Sequence, residues 1–399
     1  MPSPTAPSNL QRPASPAGQD PSPVTTPLAS LIRRRIRAEG PITVAQYMAL
    51  AIAHPEHGYY VTRDPLGREG DFVTAPEISQ MYGEVLGLWA ALHWQAIGAP
   101  DPVLLVELGP GRGTLMADAL RAARAMPGFR AAARVHLVET SPVLRAAQRA
   151  KLAGIDATWH DALETVPEGP PLLVIANEFF DCMPIRQFQR APQGWREILV
   201  DAEPEGAGFR YVLSPRPDPA VMLLPEAVRD GADVPIGAIA EISPAAILQA
   251  TAIAKRIAAS GGAALVIDYG YSGADWAGRP PLGSIQSLRA HAATDPLVEP
   301  GSADVTVQVD FHALAVAARE AGAATYGPLT QRDLLRRLGI ERRAEQLAQA
   351  NPPHAGTIAA ALDRLIVGET MALLFKALAI ARPGDPVPPA FQASGRESA

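Results

Sequence analysis

The sequence predicts an α/β fold in which helices cover both faces of a doubly wound, Rossmann-like parallel sheet. From Asp101 onward, apolar runs rich in branched side chains alternate with segments of helical periodicity. Such alternation is typical of parallel sheets, which bind ligands at the carboxyl ends of their strands. The predicted strands are Val103–Leu108, Arg134–Glu139, Ile155–His160, Leu172–Ala176 and Ala263–Asp268. The predicted helices are Thr114–Ala125, Pro142–Leu152 and Pro244–Ala259.

The first predicted strand runs directly into a glycine-rich turn, within the run VELGPGRGT. Gly109 and Gly111 would let the backbone approach a ligand closely, and the helix that follows offers free N–H groups. The spacing is G-x-G-x-G, whereas a dinucleotide fingerprint is G-x-G-x-x-G; Thr114 takes the last position here. We expect Gly113 to serve tight helix–strand packing more than ligand contact. The turn therefore favours a nucleotide-like cofactor that is not a dinucleotide.

Acidic side chains near the strand ends indicate which cofactor binds. Glu107 lies inside the first strand, where its carboxylate would repel a pyrophosphate but suit the ammonium and sulfonium groups of S-adenosylmethionine (SAM). Glu139 ends the next strand and could accept both ribose hydroxyl hydrogens. The alternative is that Glu139 stabilises the helix whose N-terminus Ser141-Pro142 predicts. Asp161 follows the third strand and could reach the adenine amino group, or it is a simple turn residue.

Composition excludes several other classes of function. The chain has 399 residues, of which 48% are hydrophobic and 19% charged, as expected of a globular protein. Its net charge of −6 argues against a general nucleic-acid binder. Cys182 is the only cysteine, which speaks against a structural zinc site, and we predict no metal. No apolar stretch reaches the ~18 residues of a membrane span. Residues 1–27 have Arg12 as their only basic side chain and no mitochondrial targeting character, so we expect a cytoplasmic protein.

Outside the sheet, the chain divides into segments of different character. A capping-box pattern at Thr43 predicts a helix from Val44, after an earlier helix over Leu28–Arg37. Ile185–Gln189 and Glu197–Asp201 have the pattern of a hairpin, whose exposed apolar strands could pair with a second copy in a homodimer. The predicted divisions are a disordered tail (1–27), an N-terminal helical and lid segment (28–100), the first part of the core (101–184), a β-rich insertion (185–240), the core completion with a substrate-side region (241–380) and a second disordered tail (381–399).

Several long runs resemble the MidA-like family of SAM-dependent methyltransferases. They are GDFVTAPEISQMYGE (70–84), VELGPGRGTLM (106–116), VHLVE (135–139), ANEFFDCMPIRQF (176–188), PQGWRE (192–197) and GGAALVIDYGY (261–271). The resemblance covers roughly Leu28 to Ile380 and is to a bacterial member. It implies a class I SAM-dependent methyltransferase fold with an N-terminal helical segment, a β insertion and a C-terminal extension. Mitochondrial members are arginine methyltransferases that assist assembly of respiratory complex I. The implied reaction is therefore symmetric dimethylation of an arginine on the quinone-proximal large subunit of complex I.

A guanidinium substrate directs attention to the loop after the fourth strand. The guanidinium group has a very high pKa and stays protonated, so it is a poor nucleophile, and it must approach a cationic cofactor. In this fold the loop faces the transferable methyl group. We predict that Glu178 and Asp181, beside Asn177, grip the arginine and that Phe179 and Phe180 exclude water or pack on its flat face. The alternative is that the phenylalanines are core and the acids cap a helix.

Six further polar side chains are candidates for a lid or for the substrate channel. They are Asp71, Thr74, Glu77, Asp268, Asp304 and Asp310. Asp71, Thr74 and Glu77 would form a lid over SAM or the N-cap of a helix. Asp268 would line the pocket or accept nearby backbone N–H groups. Asp304 and Asp310 would line the substrate channel or cap a helix at Phe311. Gln308 stands where bacterial relatives often have His, so its role stays open, as does that of His291.

Three other functions stay open at this point. The enzyme could methylate another protein or a small molecule. It could be an assembly factor that binds SAM without catalysis, although a scaffold needs no active-site acids. An NAD oxidoreductase is the most distant alternative, because the glycine spacing differs from the dinucleotide fingerprint.

Overall fold

The computed structural model describes residues 26–64, 67, 70–71, 73–231, 234–273 and 283–392. Within these residues the chain forms two compact units. The first contains residues 26–64, 182–231, 234–246 and 283–308. The second contains residues 67, 70–71, 73–181, 247–273 and 309–392.

The strands and helices are numbered in chain order. The strands are β1 (Ile42–Thr43), β2 (Val103–Leu108), β3 (Ala133–Val138), β4 (Ala157–His160), β5 (Leu172–Asn177), β6 (Arg186–Ala191), β7 (Gly194–Ala202), β8 (Phe209–Leu213), β9 (Ile239–Ile242), β10 (Gly262–Tyr271), β11 (Gln286–Arg289), β12 (Ala292–Thr294), β13 (Asp304–Thr306), β14 (Val309–Asp310), β15 (Ala324–Thr330) and β16 (Phe375–Ala381). The α-helices are α1 (Pro27–Glu39), α2 (Val44–Ala53), α3 (Tyr59–Thr62), α4 (Ala75–Ile78), α5 (Gln80–Ala96), α6 (Thr114–Ala122), α7 (Pro127–Ala132), α8 (Pro142–Lys151), α9 (Glu226–Arg229), α10 (Pro244–Ser260), α11 (Phe311–Glu320), α12 (Gln331–Arg337), α13 (Ile340–Ala350) and α14 (Ala355–Ile366).

The second unit is built on a mixed sheet in the order β15-β16-β10-β5-β2-β3-β4, with β14 beside β10. The five strands predicted from the sequence, β2, β3, β4, β5 and β10, pair in parallel, which confirms the predicted α/β fold. Every residue of β2, β5 and β10 is buried, as expected of strands covered on both faces. Their carboxyl ends bring the glycine-rich turn, Asn177 and Asp268 to one edge of the sheet.

Close packing of α5 against α6 fixes the elements around the glycine-rich turn. A Cβ added to Gly87 would lie 2.5 Å from Cα of Ala119, so only glycine permits this approach. The buried face of α5 includes Met81, Tyr82 and Trp89. Helix α5 therefore places Tyr82 in the hydrophobic core of the unit.

The antiparallel strands β15 and β16 complete the sheet beyond β10. We did not predict β15. Gly327-Pro328 interrupts its period-two pattern, and the register shifts between Tyr326 and Leu329. An irregular edge strand of this kind lacks the alternating apolar signal from which strands are recognised.

The first unit contains an antiparallel sheet in the order β1-β7-β6-β9, with β8 on β7, and a smaller sheet in the order β12-β11-β13. The β6–β7 pair is the predicted hairpin, and β8 pairs with the other side of β7. Helix α2 begins with the predicted capping box of Thr43 and Gln46. Side chains of α1, α2 and β7 share one hydrophobic cluster.

The units differ from the segments predicted along the sequence. The segment predicted at 28–100 divides between the units near residue 65, and residues 283–308 join the insertion. The physical reason is long-range pairing, because β1 pairs with β7 across more than 150 residues of chain.

Helix α1 begins at Pro27 with Thr26 as its N-cap, and residues 1–25 lie outside the described residues. In the predicted second tail, Phe391 packs against the core of the second unit, whereas residues 393–399 lie outside the described residues.

Candidate active site

The glycine-rich turn joins β2 to α6 and adopts left-handed backbone conformations. The φ angles of Gly109, Gly111 and Gly113 are 61°, 53° and 81°. A Cβ added to Gly109 would lie 2.8 Å from Cδ2 of Phe179, so the turn and the loop after β5 touch at this point. A Cβ on Gly113 would lie 3.5 Å from Gln148 on α8, an ordinary van der Waals distance, so the tight helix–strand packing expected for Gly113 stays a prediction.

Glu107 lies beneath this turn as a buried carboxyl group. Its atom Oε2 is enclosed and has no hydrogen-bond partner among the described residues. Burial raises the pKa of Glu107 to about 8, although a bond from the Met116 backbone N–H opposes this rise. A buried acceptor without a partner is rare in a folded protein. It fits a ligand that brings a positive charge or a hydrogen-bond donor to this place.

Glu139 is connected to the glycine-rich turn through a residue that we did not predict, Gln148. Oε1 of Glu139 accepts the backbone N–H of Ser141 at 2.8 Å, and Oε2 accepts Nε2 of Gln148 at 3.2 Å. The same Nε2 donates to the Gly111 carbonyl at 2.7 Å. Ser141 is the N-cap of α8, as predicted. The signal for Gln148 was a polar residue on the otherwise apolar buried face of α8.

Asp161 differs from the other candidates for cofactor binding. Its side chain is 81% exposed and forms an ion pair of 2.7 Å with Arg145. The Arg145 Nε donates to the Glu139 carbonyl at 2.6 Å. The structure therefore places Asp161 at the surface, in the arrangement expected of a turn residue.

Strand β5 ends at Asn177, and the loop after it begins with Glu178. Asn177 is buried, and its Oδ1 accepts the Tyr82 hydroxyl in a very short hydrogen bond. Oε1 of Glu178 accepts Nδ2 of Asn177 at 3.0 Å and the Ala75 backbone N–H at 3.0 Å. Burial of the carboxyl group raises the pKa of Glu178 to about 7. Its φ of 51° is uncommon for a residue with a side chain, and such strain concentrates at functional sites.

Asp268 organises the rest of this loop. Its Oδ2 accepts the backbone N–H groups of Phe179, Phe180 and Asp181 at 3.2, 2.9 and 3.1 Å. Its Oδ1 accepts the N–H of Tyr269 at 2.9 Å. Asp268 is fully buried and therefore has the backbone-binding role that we considered as the alternative to a pocket residue.

The phenylalanines have different environments. Phe180 is buried, whereas Phe179 is partly exposed and meets Phe180 edge-on with ring centroids 5.5 Å apart. Asp181 is buried. Residues 181–183 form a turn, so the helix that we considered as an alternative role for these acids does not form there.

The predicted lid segment contacts both the glycine-rich turn and Glu178. Oε1 of Glu77 accepts the Thr114 hydroxyl at 2.6 Å, and Oε2 lies 4.0 Å from Nη1 of Arg112. Thr74 stands at the N-cap position of α4, although its side chain makes no capping hydrogen bond there. Asp71 is partly exposed.

The remaining candidates are Asp310 in the second unit and Asp304, His291 and Gln308 in the first. Asp310 is the N-cap of α11 and accepts the Ala313 N–H at 3.0 Å, which is its alternative role. Asp304 is buried in the first unit, where it accepts the Tyr60 hydroxyl at 3.0 Å. His291 is exposed, and the Gln308 N–H donates to the Ser284 hydroxyl.

Comparison with known proteins identifies the family. Residues 85–329 match the family described as S-adenosyl-L-methionine-dependent methyltransferase. The chain belongs to this family. It is 39% identical to protein arginine methyltransferase NDUFAF7, mitochondrial, of Danio rerio, over 80% of this chain and 78% of that protein. It is 37% identical to the Homo sapiens protein of the same name, over 84% of this chain and 79% of that one.

Solved structures give the same result for the fold and the cofactor. A methyltransferase crystal structure from Burkholderia thailandensis, bound to S-adenosylhomocysteine, is 30% identical, with a TM-score of 0.81 over 93% of this chain and 98% of that one. This family member is therefore a SAM-dependent methyltransferase of class I fold, and SAM is its cofactor. In the parts of the chain that are described, no helix is long and apolar enough to cross a membrane. The same residues contain no group of three or more His, Cys, Asp or Glu that could hold a metal ion.

Proposed function

We propose that this enzyme is a protein-arginine methyltransferase that forms symmetric dimethylarginine on a subunit of respiratory complex I. The observation that carries the proposal is 39% identity, over most of the chain, to a protein named for arginine methylation. By resemblance, the substrate is the quinone-proximal large subunit. The proposed cytoplasmic location and homodimer stay predictions.

The cofactor residues in this proposal follow from the chemistry of the donor set. The unpartnered Oε2 of Glu107 would accept the cofactor's ammonium group, and Glu139 would accept its ribose hydroxyl hydrogens. Gly109 and Gly111 would leave room for its tail. Asp161 would reach the adenine only if its ion pair with Arg145 opened.

When bound, SAM supplies an electrophilic methyl group on a positively charged sulfur. Glu178 would accept an N–H of the target guanidinium and draw its positive charge away from the attacking nitrogen. With a pKa of about 7, Glu178 can also take the proton that the nitrogen loses as the N–C bond forms and the C–S bond breaks. Asp181 and the ring of Phe179 would complete the grip on the guanidinium, the latter by cation–π contact.

Mass spectrometry of the methylated protein tests the modification. Complex I from cells with and without this gene would be digested and its arginine peptides fragmented. We expect an arginine with one methyl group on each terminal nitrogen in the large subunit, absent from the deletion strain and from a strain carrying Glu178→Gln. Asymmetric dimethylarginine or monomethylarginine would contradict the proposed product. Methylation of another protein would contradict the proposed substrate.

A SAM-binding assembly factor without catalysis is the second candidate. It is favoured by the exposed apolar side chains of Met222 and Leu223 in the first unit, which are 66% and 57% exposed. Restoration of complex I assembly by the Glu178→Gln protein, without any methylation, would support this candidate.

A further inference from the structure

We propose that Tyr82 is a positioning residue of the methyl-transfer site, which acts through Asn177 to fix the oxygen that Glu178 presents to the substrate. The inference rests on the proposed function, in which Glu178 contacts the target guanidinium. It adds a residue of α5 that lies outside the strand-end loops.

The first link joins Tyr82 to Asn177. Tyr82 is fully buried, and its hydroxyl donates to Oδ1 of Asn177. A tyrosine hydroxyl has one hydrogen to donate, so this bond marks the oxygen side of the amide and turns the NH₂ side away. Burial keeps the pKa of Tyr82 well above its ordinary value, so the hydroxyl stays a neutral donor.

The second link joins Asn177 to Glu178. The oriented NH₂ group of Asn177 donates to Oε1 of Glu178 at 3.0 Å. The Ala75 backbone N–H donates to the same oxygen at 3.0 Å. The main chain of Glu178 is held as well, because its N–H donates to the Ile267 carbonyl at 2.9 Å. Two donors therefore occupy the acceptor sites of one carboxylate oxygen.

The other oxygen of Glu178 is left for the substrate. Oε2 receives no hydrogen bond from any described residue, and Glu178 as a whole is only partly buried. Glu178 can thus accept one N–H of a guanidinium through Oε2, whereas a bidentate grip would need both oxygens. The direction of Oε2 is set by the bonds on Oε1. If Asn177 could rotate, one of these bonds would be lost and the carboxylate could turn.

The substitution Tyr82→Phe tests the first link, because it removes the hydroxyl and keeps the buried ring. The matched control is Tyr47→Phe in the first unit. Tyr47 is also fully buried, and its hydroxyl donates to the Pro296 carbonyl at 2.6 Å. Full-length wild-type and variant proteins would be compared for SAM affinity by calorimetry and for methyl transfer as a function of pH.

We expect Tyr82→Phe to bind SAM within about twofold of wild type and to lose roughly five- to twentyfold in kcat, with a smaller change in KM. Without the Tyr82 hydroxyl, Asn177 no longer holds its NH₂ group as a fixed donor to the charged Glu178 carboxylate. The rise of kcat/KM with pH, here called the acidic limb, therefore moves to higher pH by about 0.5 to 1 unit. Asn177→Asp, which keeps an acceptor for Tyr82 but removes the donor to Glu178, moves kcat and the limb in the same direction. In a Glu178→Gln background, Tyr82→Phe causes no further loss.

Two results would overturn the inference. One is a Tyr82→Phe protein that matches Tyr47→Phe in kcat and in its pH limb. The other is an unchanged titration of the Glu178 carboxyl, measured by infrared difference spectroscopy against Glu178→Gln. A wild-type protein that methylates no arginine would refute the proposed function instead, and the infrared titration still decides whether Tyr82 orients Glu178.

Discussion

One oxygen of Asp268 accepts the backbone N–H of Phe180 at 2.9 Å, together with the N–H groups of the residues on either side of Phe180. A single buried carboxylate thereby shapes the loop that begins with Glu178. Burial and the neighbouring Glu178 raise the pKa of Asp268 to about 8, while the amide bonds oppose this rise.

Replacing Asp268 tests this structural relationship. Asp268→Asn would point an NH₂ group at backbone donors, so we expect a loss of about 2–4 kcal/mol in the free energy of unfolding and at least tenfold in methyl transfer. The control is Asp230→Asn, in which an exposed carboxylate paired with Arg229 is replaced. Chemical denaturation gives the first quantity, and equal stability of the two variants would contradict the role of Asp268.

The pH dependence of methyl transfer follows from Glu178. The folded-state pKa of about 7 lies above the ordinary value, so the group is mostly neutral below pH 7 and cannot hold a cation there. We expect kcat/KM for the protein substrate to rise with pH through about 7 and then level off. Glu178→Gln should remove this limb and lower the rate by about a hundredfold or more. If kcat/KM of Glu178→Gln still rises with pH through about 7, the rise belongs to the titration of another group.

Glu107 links cofactor binding to stability. Its folded-state pKa of about 8 is raised above the unfolded value, so protonation favours the folded state. This contribution is fully present below the unfolded pKa of about 4.3 and is lost as pH rises towards 8. Glu107→Gln should therefore stabilise the cofactor-free protein at pH 8 relative to wild type, with no such gain at pH 4, and should weaken SAM binding at least tenfold. Thermal unfolding at both pH values measures the change in stability, and calorimetry measures the SAM affinity. Unchanged SAM affinity would remove Glu107 from the cofactor site.

Gly109 tests the contact between the glycine-rich turn and Phe179. Gly109→Ala adds a methyl group 2.8 Å from the Phe179 ring, at a positive φ. Gly154→Ala is the matched control, because Gly154 has a φ of 82° and open space around its Cβ position. Both variants should lose about 1 kcal/mol from backbone strain. Only Gly109→Ala should also lose SAM binding and methyl transfer, and equal SAM affinities for the two variants would contradict the contact.

Strands β2, β5 and β10 could be predicted because they are almost continuous apolar runs, which leave a clear signal in the sequence. Glu107 and the glycines were recognisable because an acid within a buried strand and a glycine-rich turn are locally unusual. The choice between the two roles considered for Asp268, and the role of Tyr82, depend on which backbone and side chains meet in space, and no local pattern contains that information. The same reason explains why β1 and β7, which pair across much of the chain, were assigned to different segments.

Transfer of labelled methyl groups from SAM tests the central claim most directly. Purified protein would be added to a lysate of cells that lack the gene, with Glu178→Gln protein added to a parallel sample. We predict label in arginine of one protein, the large subunit of complex I, and none with Glu178→Gln. Label only in small molecules, or equal labelling by Glu178→Gln, would contradict a protein-arginine methyltransferase that depends on Glu178.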